Sequence, residues 1–136
     1  MGAIGSPIVV GYVDTPEGQA ALDRAVLEAA QRGARLVVIS SSKGGAALDR
    51  DAAMEMDQAL SAVSARLAEA GIEHEVRSLV RGADPADDLV AVADEVDADL
   101  IVIGLRRRTP VGKLIMGSNA QQILLDASCP VLAVKA

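Results

Sequence analysis

A chain of 136 residues holds one domain with a sizeable core and is short for two. Its residues are 51% apolar, as a packed core needs, but they are almost all aliphatic, with Tyr12 the lone aromatic. A net charge of −6 and the lack of aromatic stacking platforms argue against binding to nucleic acid, whose backbone an acidic field repels and whose unpaired bases need rings to stack on.

The first apolar run, "IVVGYV" (8–13), reads as a strand because it is rich in β-branched residues. A helix is predicted from Pro16 to Arg32, with Leu22, Ala25, Val26, Ala29 and Ala30 at helical spacing. Asp14 or Thr15 can cap it, Pro16 suits its first turn, and Gly33 suits the left-handed residue after its end. The second strand is "RLVVIS" (35–40), followed by a loop, "SSSKGGAA" (40–47). A second helix spans Leu48 to Ala70 with a stripe of Met56, Leu60, Val63 and Leu67, and Gly71 stops it. The third strand is "EVRSLV" (75–80). The third helix takes Asp84 as cap, Pro85 in its first turn, and Leu89, Val92 and Val96 as its apolar face. "DLIVIG" (99–104) is the fourth strand, a helix from Ser118 to about Ala127 follows, and "PVLAVK" (130–135) is the fifth strand. No run reaches membrane-spanning length.

Strict alternation of strand and helix predicts a single-domain α/β fold over 1–136: an open five-stranded parallel sheet, Rossmann-like, with helices on both faces. The third strand is the most polar, so it belongs at an edge, and the order 3-2-1-4-5 satisfies this better than the flavodoxin-like 2-1-3-4-5. In that order the crossovers diverge between strands one and four, and open α/β sheets bind ligands in the crevice this leaves at the strands' carboxyl ends.

The stretch "GLRRRTPVGKLIMGS" (104–118) begins at that crevice. It carries four cations and no acid in an otherwise acidic chain. Ser118 with Gln121 forms a capping-box pattern, whose helix start presents N–H groups to an anion. A Walker A loop is absent, because position 107 is Arg and position 114 is Leu. Neighbouring arginines in water repel by only about 1 kcal/mol per pair, so a solvated loop accounts for them as well as an anion site does.

With "RGADPADDLVAVADEVDADLIVIG" and the tail "GSNAQQILLDASCPVLAVK", the chain resembles the universal stress protein (UspA-like) family over essentially its whole length. The resemblance implies the 3-2-1-4-5 sheet of the adenine nucleotide alpha hydrolase-like fold, a stress-response role, and ATP or another adenine nucleotide held between strands one and four, with Mg2+ only alongside ATP. The family's G-x2-G-x9-G-[S/T] motif finds Gly104 at its first position and Gly117–Ser118 at its end, but Arg107 replaces the second glycine. ATP-binding members carry an Asp at the end of strand one; here that position is Val13, with Asp14 one residue later, and a one-residue shift points a side chain to the other face. The resemblance implies that Gly104, Gly117, Ser118 and Asn119 bind phosphates, that Arg107 and Lys113 neutralise them, and that Val13, Asp14, Ile39 and Ser40 border the nucleoside. The alternative is a family member that binds no ATP and acts as a dimeric interaction module.

Catalysis has little support in the residues. His74, the single histidine, opens the edge strand far from the crevice, and no Cys/His metal spacing occurs. The expectation is a binding protein, with slow ATP hydrolysis incidental to that role. Strand five is apolar and on an edge, so Val131, Leu132, Ala133 and Val134 are expected to pair with a second copy in a homodimer. A lone cysteine, Cys129, and a start, "MGAIGSP", without a basic apolar leader point to the cytoplasm, with no membrane partner.

Overall fold

The protein, a computed structural model, is described over residues 6–13, 15–42, 50–80, 85–105 and 118–135. Its elements run β1 (Ile8–Gly11), α1 (Pro16–Arg32), β2 (Leu36–Ser42), α2 (Arg50–Glu69), β3 (His74–Val80), α3 (Pro85–Glu95), β4 (Leu100–Leu105), α4 (Ser118–Asp126) and β5 (Val131–Lys135). All four strand pairings are parallel and the order is β3-β2-β1-β4-β5, as the polarity of the third strand predicts.

The paired stretches 8–10, 36–39 and 100–103 of the three central strands are apolar at every position because they feed two cores. Ile8, Val10, Leu36, Val38, Leu100 and Val102 face one way and pack on Ala21, Leu22, Ala25 and Ala29 of α1 and on Leu60, Val63 and Leu67 of α2. The alternate residues Val9, Val37, Ile39, Ile101 and Ile103 face the other way, onto α3 and Ile123 of α4. Burying a side chain of this size stabilises the fold by about 1.5–3 kcal/mol relative to exposure, so these two layers carry most of the driving force. The alanines at 21, 25 and 29 form one face of α1, and their small side chains bring that helix close to β1 and β4.

Local signals set most of the boundaries. Thr15 caps α1, its Oγ1 accepting from Gly18 N at 3.2 Å, and Pro16 follows as the first helical residue. Gly33 (φ 62°) and Gly71 (φ 72°) take the left-handed conformation after α1 and α2. After α3 the same role falls to Asp97 (φ 56°), and Ala98 N donates to Ala93 O at 2.9 Å across the turn. Strand one is shorter than its apolar run: the ladder stops at Gly11, and Thr15 N donates to Val13 O at 2.9 Å in a tight turn that starts α1. Strand two is longer, because β3 pairs with it as far as Ser42 and Val80. The expected start of the second helix at Leu48 and the expected cap Asp84 lie outside the described residues.

His74 is half-buried. Its ring bridges β3 to α2, with Nδ1 2.8 Å from Ile72 O and Nε2 2.9 Å from Ser64 Oγ. With Nδ1 donating to the carbonyl, Nε2 accepts from the serine hydroxyl, which ties the strand's start to the helix. No described helix is long and apolar enough to cross a membrane.

Candidate functional site

Two glycines fold the start of α1 down onto the ends of the central strands. A Cβ on Gly18 would lie 1.7 Å from Val13 O, and one on Gly104 would lie 2.0 Å from Glu17 O. Both contacts are with backbone, so neither yields to a side-chain rotation. The first turn of α1 therefore rests against the β1–α1 turn and the end of β4.

Beside this contact, on the α3/α4 side of the sheet, lies a cavity of about 170 Å³. Its floor is the carboxyl ends of three strands, contributed by Gly11, Ile39, Ile103 and Gly104. Its walls are the first turns of three helices: Glu17 and Gly18 of α1, Pro85 and Ala86 of α3, and Asn119 and Ala120 of α4. Leu89 and Ile123 close it from one turn further along α3 and α4. The positive ends of three helix dipoles thus converge on one mouth, an arrangement that favours anions there. The interior is aliphatic, and Tyr12 also borders it, with its hydroxyl accepting from Gln19 Nε2 at 2.8 Å.

Of the residues singled out in the sequence, Val13, Ile39, Gly104 and Asn119 meet at this cavity. Ile39 is fully in the core, whereas Val13 stands 45% exposed at the mouth. Gly104 borders the cavity, but the space left by its missing side chain is filled by the Glu17 backbone rather than left for a ligand. Ser40 is turned away: one residue beyond Ile39, it points to the opposite face, where its hydroxyl lies 3.3 Å from Met56 Sδ. Asp14, Arg107, Lys113 and Gly117 lie outside the described residues, and Ser118 is described only as the first residue of α4.

The sequence reading did not find Glu17, Pro85, Ala86 or Leu89. A signal for the last three was present. Strand parity sends Ile39 to the face opposite Val38, and whichever helix covers that face must supply the cavity's other wall. Glu17 left no such signal, because an acid in a first helical turn is explained by the helix dipole alone.

The described groups with shifted titration lie outside the site. Burial, with Asp94 and Asp99 adding to it, pushes the Cys129 thiol up, so this half-buried side chain stays protonated and packs against the α3/α4 core. On β3, Glu75 is held below the ordinary carboxylate range chiefly by its hydrogen bond from Arg77, and the Arg77 guanidinium is raised in turn, first by Glu75 and then by Glu95.

An open parallel sheet in this order, with a cavity at the carboxyl ends of β1 and β4, defines a doubly wound α/β protein of the adenine nucleotide alpha hydrolase-like fold. The chain belongs to the universal stress protein family, which matches it over residues 6–135. A universal stress protein of Mycolicibacterium smegmatis is 43% identical over 128 residues, covering 94% of this chain and 96% of that one. A universal stress protein of Archaeoglobus fulgidus superimposes with a TM-score of 0.84 at 41% identity, covering 97% of this chain and all of the other. Another from that organism, solved in complex with dAMP, gives a TM-score of 0.75 at 33% identity, covering 97% of this chain and 99% of that one. A further universal stress protein, solved in complex with cAMP, gives 0.72 at 28% identity with 98% of each chain covered.

Proposed function

We propose that this protein is a stress-response protein that binds an adenine nucleotide in the cavity between the ends of β1 and β4. The observation that carries the reading is the union of an aliphatic chamber with three helix starts around its mouth. A cavity of about 150 Å³ takes a benzene ring, so a chamber of about 170 Å³ has room for the base and not for the whole nucleotide. The sugar and phosphates then lie at the mouth, toward the start of α4 and Asn119. The base is held by aliphatic surface from Ile39, Leu89, Ile103 and Ile123. Relatives in the same family solved with dAMP and cAMP support the ligand class. ATP is included in it, with Mg2+ entering only alongside the triphosphate.

Calorimetry and thermal-shift measurements with ATP, AMP and cAMP test this. At least one of the three is expected to release heat and raise the melting temperature. Silence from all of them at millimolar ligand removes the proposal.

A second reading, a dimeric interaction module, is favoured by the difference between the two sheet edges. Edge strand β3 is guarded by charge: Arg77 bonds both Glu75 and Glu95 of α3, and Arg35 reaches Glu75 at 3.4 Å. Edge strand β5 carries half-buried Val131, Leu132, Ala133 and Val134, and its one charge, Lys135, stands at the strand's end. An apolar edge of this kind invites pairing with a second copy.

A further inference from the structure

Glu17 is the one acidic residue among the described residues that line the cavity. Its neighbours there are aliphatic, apart from Asn119 and Tyr12, whose hydroxyl already accepts from Gln19. The side chain is half-buried in the first turn of α1. An ionised carboxylate only accepts hydrogen bonds. It therefore repels phosphate and attracts O–H or N–H.

We infer that Glu17 is a specificity-determining residue that accepts hydrogen bonds from the sugar hydroxyls of the bound nucleotide and so selects a nucleotide that carries the vicinal hydroxyls over one that lacks them. This rests on the nucleotide reading above. A nucleotide donates only through its base amino group and its sugar hydroxyls. The base belongs in the buried aliphatic end of the cavity, beside Ile39, Leu89 and Ile103. The phosphates belong at the start of α4. The sugar joining them crosses the partly exposed rim where Glu17 stands against Gly104. Two adjacent carboxylate oxygens match two vicinal hydroxyls, and a sugar lacking them leaves the carboxylate desolvated and unpaired, which is the costly case. Discrimination against an analogue that lacks a recognised hydroxyl follows from that unpaired group.

The test is calorimetric titration of the wild type, Glu17→Ala and Glu17→Gln with AMP and with its 2′,3′-dideoxy analogue. Wild type is expected to prefer AMP by about tenfold or more. Glu17→Ala should lose that preference by weakening AMP while leaving the dideoxy analogue within about twofold of its wild-type affinity, and Glu17→Gln, which preserves the shape of the helix start, should fall between. Binding to wild type without a ribose preference, or a preference that survives in both variants, overturns the assignment to Glu17 alone. Where AMP is silent and ATP binds, the same comparison is made with ATP and its dideoxy analogue; failure of wild type to bind AMP, ATP or cAMP overturns the nucleotide reading, and this assignment with it.

Discussion

Gly104 was legible in the sequence as the point where the fourth strand gives way to a cationic loop. Its physical reason was not. The absent side chain makes room for the carbonyl of Glu17, so the residue sets how low α1 sits over the site. Gly11 makes a useful contrast, because a Cβ there would come no nearer than 3.5 Å to any neighbour, the side chains of Leu89 and Ile103, which is ordinary contact. Gly104→Ala is expected to destabilise the fold by about 2–3 kcal/mol in urea unfolding, since backbone cannot swing aside. Gly11→Ala is expected to stay within about 0.5 kcal/mol of wild type and yet to weaken nucleotide binding, because its methyl group projects toward the chamber. Equal stability of the two variants would refute this account of Gly104. The same logic explains why Gly18, which meets Val13 O, drew no attention: a single close approach between a helix turn and the turn before it leaves no periodicity to read.

At the scale of elements, caps and stops were the most readable features. Thr15, Pro16, Gly33 and Gly71 act within a few residues of where they stand, so sequence exposes them. Asp97 in the left-handed region was not foreseen, because aspartate takes up that conformation more readily than most residues but far less often than glycine. The ion pairs along β3 depend likewise on α3 arriving beside it. They carry a pH signature. Glu75 is depressed in the folded state, chiefly by Arg77, so its contribution is fully present above the unfolded carboxylate pKa of about 4.3 and is lost as pH falls through the lower folded value. The stability gap between wild type and Arg77→Met should therefore shrink from about pH 6 to about pH 3 in urea titrations. The pair is partly exposed and solvent-screened, which keeps the gap below about 1 kcal/mol. A gap that holds constant across that range would show that Arg77 acts through packing and not through charge.

For the whole molecule, the asymmetry between a charged edge and an apolar one leads to a statement about assembly. Light scattering is expected to report twice the chain mass, and Ala133→Pro, which removes a backbone donor from β5, should shift the distribution toward monomer. A wild type that scatters as a monomer at all concentrations would sink the edge-pairing proposal. The strand order follows from the sequence, since burial on two faces demands continuous aliphatic runs and the polar third strand could not sit among them. Residues with a local physical task, such as caps, stops, stripes and strand runs, were likewise determined by the sequence alone. The sequence also pointed to the crevice between the first and fourth strands, since topology follows from the order of elements. Only the tertiary structure decided what lines it: Glu17, Leu89 and the starts of three helices meet there through contacts between segments far apart in the chain, and Ser40 is sent to the opposite face by strand parity. Such meetings depend on how closely helices rest on the sheet, a distance set by packing volumes and missing Cβ atoms that no spacing along the chain encodes.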